Sequence, residues 1–162
     1  MEASLGKRTQ LINSMHIHRV WAQQEYDLYH YYAVSDKIMD TNGHIVDFDS
    51  FLTSRCITHM FKFYLLIYEL QLSIGKNYKA QYKQIIDSCD FNDNADQSDF
   101  ISTLKDARDF VTHSNRKYLD ERFWGMLINP EHQHFATVLF DKIKQFIDSE
   151  RNKNTQDGGI SL

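Results

Sequence analysis

The chain has 162 residues, 42% of them hydrophobic and 25% charged, with a formal net charge of −4. A chain of this length buries roughly two thirds of its unfolded surface and needs no disulfide or metal to fold; its composition excludes disorder and a globally basic nucleic-acid binder. Six glycines and one proline are too few for the turns of a sandwich or barrel, which points to long helices.

The first element runs from about Ser4 to Asp40. Met15, His18, Ala22, Tyr26, Tyr29 and Ala33 recur at three- and four-residue steps on one helix face, which Trp21, Leu28 and Tyr32 widen. Thr41-Asn42-Gly43 supplies a stop, because Asn and Gly tolerate the left-handed backbone that ends helices. A second helix starts near Asp49 or Ser50, either of which can cap it. Its stripe is Leu52, Cys56, His59, Phe63, Leu66, Leu70 and Ile74, flanked by Phe51, Tyr64 and Ile67, with Gly75 at the C-cap. This periodicity is the strongest in the chain and belongs at the centre of a bundle. A shorter helix, about Tyr78 to Cys89, turns Tyr82, Ile85, Ile86 and Cys89 inward. After an acidic loop from Asp90 to Asp99, Ser98 caps a fourth helix that ends around Tyr118, with Phe100, Leu104, Ala107 and Val111 inside. A connector from Asp120 to Asn129 carries Trp124 and Gly125. Asn129-Pro130-Glu131 reads as N-cap, first-turn proline and acidic first turn. The last helix then runs to about Ser149, with Phe135, Val138, Leu139, Lys142 and Phe146 inward. The spacing predicts an all-α, up-and-down bundle of four to five helices in one domain, residues 1–150, followed by a polar flexible tail, residues 151–162.

Two cysteines, Cys56 and Cys89, form no disulfide framework and fit reduced thiols in the cytoplasm. Residues Met1 to Gln10 contain no signal-peptide core. The most apolar stretch, Cys56 to Ile74, is interrupted by His59, Lys62, Glu69 and Gln71, which argues against a membrane span. The expectation is a soluble cytoplasmic protein with no membrane partner.

Candidate chemistry narrows by elimination. His16-x-His18 and His132-x-His134 point their rings about 200° apart on a helix and cannot share an ion, so no metal is expected. The run Asp90 to Ala95 imitates a calcium loop but has Ala95 where Gly belongs and Ile101 where the bidentate Glu belongs. His59-x-x-Lys62 is faintly like a phosphotransfer motif, yet His59 lies on the apolar stripe and reads as a satisfied core histidine. What remains is Lys105 to Tyr118, the one dense basic cluster beside a histidine. If Leu104, Ala107 and Val111 face inward, Arg108 stands about 60° from the centre of that face and His113 roughly opposite it. The bland reading is a solvated helix face with ion pairs.

The cluster resembles the signature of the HEPN superfamily, helical domains that often act as ribonucleases or nucleotide-binding partners: Arg, a polar follower, then His after a short spacer. Arg108-Asp109-Phe110-Val111-Thr112-His113 matches the four-residue form. Asp120, Trp124 and the Pro130-started helix follow in the order seen in toxin-type members. Two departures stand out: Asn115 where paired toxins often carry a modified Tyr, and Asp109 where Asn is commoner. The surroundings of His113 and Ser114 are closer to abortive-infection-type domains. The resemblance implies a HEPN-like bundle, RNA as substrate, a homodimer whose two motifs meet, an antitoxin protein as possible partner, and no cofactor. In that reading Arg108 and His113 are catalytic, and Asp109, Ser114, Asn115, Arg116 and Lys117 contact substrate. The chemistry suits it. Metal-free RNA cleavage needs a proton acceptor for the 2′-hydroxyl, which histidine supplies near neutrality. It also needs a fixed cation on the phosphorane oxygens, which arginine supplies. On a regular helix the two side chains lie about 140° apart, so a distortion or a second copy must bring them together. Two alternatives are a non-catalytic HEPN-like module that binds a nucleotide or a partner, and a plain interaction bundle.

Overall fold

The computed structural model describes residues 2–42, 44–89, 94–112, 124–125 and 128–157. Among these it contains six helices: α1 (Glu2–Ser35), α2 (Phe48–Thr53), α3 (Arg55–Asn77), α4 (Lys79–Asp87), α5 (Asn94–Thr112) and α6 (Pro130–Asp157). The chain is an all-α bundle. No strand occurs among the described residues; an isolated antiparallel bridge joins Met39 to Ile45. No helix among them is long and apolar enough to cross a membrane.

The central position expected for the second stripe is observed. α3 packs against each of the other five helices. Cys56, Met60, Phe63, Tyr64, Ile67, Leu70 and Ile74 are buried along it, a spacing of three and four that turns one face to α1 and the other to α5 and α6. α1 runs antiparallel to α3: Asp36 pairs with Arg55, Tyr32 stacks on His59 and Tyr26 meets Phe63. α1 is antiparallel to α6 as well, through Arg8 with Glu150, Arg19 with Asp148, Gln23 with Lys144 and Tyr29 with Gln133. α3 and α6 therefore run the same way. Aromatic rings join the layers, with Phe63 edge-on to Phe140, and Phe100 edge-on to both Tyr64 and Phe135.

Several boundaries fall elsewhere than the sequence suggests, each for a local reason. α1 stops at Ser35, well before Thr41-Asn42-Gly43. Lys37 takes a φ of 57°, the Ile38 N–H donates to the Ala33 carbonyl, and the Lys37 N–H donates to the Val34 carbonyl. That is a Schellman closure with lysine in the position glycine usually fills, anchored by the buried Ile38 behind it. The second helix is two helices. Asp47, not Asp49 or Ser50, accepts from the Ser50 N–H as N-cap. The chain then breaks at Ser54, whose hydroxyl donates to the Phe51 carbonyl at 2.7 Å, a local bond that competes with helix continuation. Leu52, on the expected stripe, is exposed as a result of that break. Gly75 lies inside α3 and caps nothing. Ser98 lies inside α5, which starts at Asn94. Trp21 and Leu28 are exposed, not part of the inner face of α1.

At α6 the expected start holds: the Glu131 N–H donates to Asn129 Oδ1 at 2.9 Å. The helix continues about two turns past Ser149, so the polar segment expected to be a flexible tail is helical from Arg151 to Asp157. Glu150 explains the extension. Its carboxylate is 3% exposed and takes Arg8 from α1 and Lys153 from the next turn, which ties the end of α6 to the bundle.

Candidate functional site

Phe100, Leu104 and Ala107 are fully buried, which sets the inner face of α5. Arg108 is one residue further round, and that single step of about 100° puts it at the seam between α5 and α3. Its side chain is 27% exposed. The guanidinium carbon lies 5.0 Å from the centre of the Tyr68 ring, a cation–π contact that ties it to α3. Nη1 is 3.5 Å from Glu69 Oε1, and Nε is 2.7 Å from Asp109 Oδ1. The Nε contact is an ion pair and not an aligned hydrogen bond, as expected when neighbouring side chains on a helix diverge and the long one folds back. Asp109 is itself 6% exposed.

Arg108 is therefore preorganised: one ring beneath it, two carboxylates beside it, and its side chain still partly exposed. A guanidinium so held offers planar donors to a phosphate with little further loss of side-chain freedom. The same carboxylates screen its charge. Of the other expected site residues, Asp109 stands in contact with Arg108, while His113, Ser114, Asn115, Arg116 and Lys117 lie outside the described residues, as does Asp120. Trp124 is half-buried and edge-on to Phe61, their centroids 6.0 Å apart. That contact is at the opposite end of α3 from Gly75, about two turns from Tyr68.

Glu69 and Tyr68 are the two participants that motif reading does not supply. Glu69 did carry a signal, as a charge in the middle of the most apolar helix. Tyr68 carried none, because an aromatic residue in a core helix is expected. His59 is satisfied, as expected, but half-buried and not in the core: its Nδ1 lies 2.6 Å from Glu25 Oε2, with the ring stacked on Tyr32. Among the described residues no three His, Cys, Asp or Glu side chains converge as metal ligands. Cys56 and Cys89 are buried free thiols, and burial pushes the Cys89 thiol up to about 11, which leaves it protonated and unreactive at neutral pH.

Away from Arg108, a concavity of about 190 Å³ opens between α1, α3 and the start of α6. Met60, Phe63 and Tyr64 form its floor, and His30, Gln133 and His134 are on its rim. Burial lowers the His30 imidazole below its ordinary value, so this cleft presents a neutral ring at neutral pH. Arg108 is not among its lining residues.

Searches against protein-family models, curated proteins and solved structures return no match.

Proposed function

We propose that the chain is a metal-independent endoribonuclease of the HEPN type, acting as a toxin or antiphage effector. Arg108 binds the scissile phosphate and stabilises the charge that builds on it. His113 accepts the 2′-hydroxyl proton and returns a proton to the leaving 5′-oxygen, so the product ends in a 2′,3′-cyclic phosphate. Asp109 positions Arg108, and Ser114, Asn115, Arg116 and Lys117 follow along the RNA backbone. Two copies place their motifs at one cleft, because a single regular helix does not converge the two catalytic groups. The observation that carries this reading is the held guanidinium of Arg108 at the α3/α5 seam, five residues before a histidine and ahead of a basic run.

A second reading is favoured by one specific contact. Glu69 and Asp109 already oppose the charge of Arg108, and a site that must yield its cation to a phosphate has a competitor built in. On that reading the protein is a non-catalytic HEPN-like module that binds a nucleotide or partner protein. Expression in a bacterial host separates them. The ribonuclease reading predicts growth arrest with fragmented RNA for the parent, and neither for Arg108→Ala or His113→Ala at equal soluble levels. Arrest with intact RNA, or arrest and fragmentation unchanged in both variants, contradicts it.

A further inference from the structure

α1 is apolar on two sides. Its inner face fills the core with Ile12, Met15, Ala22, Tyr29 and Ala33. Its outer face carries Ile17, Val20, Trp21, Leu28, Tyr31 and Val34, each 37% to 68% exposed. Those six are most of the large exposed hydrophobic residues among the described ones. Positions 17, 20, 24, 27, 31 and 34 alternate steps of three and four, the spacing of a coiled-coil seam, and 21 and 28 flank it. The seam is about 26 Å long and it is bounded. Two turns earlier, the equivalent positions are Gln10, Asn13 and Ser14, all exposed and polar. Scattered exposed hydrophobics need no explanation, but a bounded stripe of this kind, interrupted at its middle by Gln24 and Asp27, does.

We infer that this face of α1 pairs with the same face of a second copy, antiparallel, about a two-fold axis near residues 25 and 26. The seam is self-complementary under that operation. Ile17 meets the partner's Val34, Val20 meets the partner's Tyr31, and Trp21 packs towards the partner's Leu28. Gln24 faces the partner's Asp27, so the only charge in the seam meets an amide donor. In a parallel pair Asp27 would face the partner's Asp27, and like charges at a seam are repulsive. The area is sufficient. Six residues so exposed present on the order of 600 Å² per copy, so a pair buries about 1,200 Å², the lower end of a specific interface. The charge balance of the face also selects a second copy over an anionic lipid surface, since the stripe carries an aspartate and no lysine or arginine between Ile17 and Val34 other than Arg19, which is turned to Asp148. α1 and α5 both pack on α3 and hardly touch one another, so this interface is separate from the Arg108 seam and does not depend on the ribonuclease reading.

Two measurements test it on the full chain. First, Val20→Cys and Tyr31→Cys proteins are oxidised separately and as an equimolar mixture; Cys56 and Cys89 are buried and do not compete. Antiparallel pairing predicts that the mixture forms a disulfide-linked species joining positions 20 and 31 at least about tenfold faster than either protein alone. Second, sedimentation at micromolar concentration is compared for the parent, Val20→Lys and Arg108→Ala. Val20→Lys halves the assembled mass without loss of helical circular dichroism, whether or not a second interface at α5 also operates, and Arg108→Ala leaves this pairing intact. A mixture that cross-links no faster than its components overturns the inference, as does a parent that is monomeric or a mass that Val20→Lys leaves unchanged. A monomeric parent assigns the stripe to a different protein.

Discussion

Arg108 stands between two carboxylates, and their removal should act in opposite directions to its own. Glu69 is the more exposed of the pair, and its contact at 3.5 Å is long, so its hold on Arg108 is worth well under 1 kcal/mol. Glu69→Gln keeps the shape and deletes the opposing charge. We expect single-stranded RNA to bind about twofold more tightly to Glu69→Gln by fluorescence anisotropy, whereas an unchanged affinity would remove Arg108 as the phosphate contact. Glu150 makes a separate, structural case. Burial would raise its carboxyl, but hydrogen bonds from Lys153 and Arg8 outweigh burial and hold it below the ordinary value of 4.5. A group depressed in the fold stabilises above its unfolded value and loses that contribution as pH falls through the folded one. Glu150→Gln should therefore cost on the order of 1–2 kcal/mol at pH 7 and much less below the carboxylate range, which urea titrations at the two pH values would show. The polar interruptions of α3 made such contacts legible in kind though not in partner. His59 and Lys62 turn to Glu25, Glu69 to Arg108, and Gln71 to Tyr82. A polar residue in a core stripe announces that a partner exists; only the packing of helices far apart in sequence says which.

Helix identity was legible from spacing, and helix ends much less so. The three- and four-residue steps place α3 at the centre and the inner faces of α5 and α6 in the core, because burial depends on a period summed over many residues. Ends depend on single local bonds, and the sequence offers several candidates for each: Lys37 closes α1 in place of the Asn-Gly turn, Ser54 breaks the second helix, and Asp47 caps it where Asp49 and Ser50 are equally good cap types. Gly75 illustrates the difference. Glycine after an apolar run reads as a terminator, yet here it is helical, and an added Cβ would meet the Tyr82 ring at 3.5 Å, ordinary van der Waals contact. Gly75→Ala should then stabilise by about 0.5–1 kcal/mol, through a smaller loss of backbone freedom on folding and a better helix former. Thermal melts would check it, and a lowered melting temperature would mean that the α3–α4 contact tolerates no extra methyl group. α1 is one long helix, as its spacing predicts, but Trp21 and Leu28 lie on a second, exposed apolar face, because periodicity marks an apolar face without saying what covers it.

For the molecule as a whole, acid sensitivity should come in two stages. His30 is lowered by burial, with Asp27 only partly offsetting it. A histidine kept neutral in the fold contributes stability above its ordinary 6.5 that is lost as pH falls through its depressed folded value. The melting temperature should hold above neutrality, decline first in that window and again where Glu150 protonates; His30→Asn should flatten the first decline, and an identical profile would place the histidine in water. The bundle thus shows two separable surfaces joined through α3: an arginine seam on one side and an apolar seam on the other. The claim on which function turns concerns the first. It is tested most directly by end-group analysis of RNA incubated with the purified protein in excess chelator, beside His113→Ala and Arg108→Ala of equal helicity. The parent should leave 2′,3′-cyclic phosphate termini and both variants should leave RNA intact; uncut RNA from the folded parent, or the same termini from all three proteins, would contradict the account.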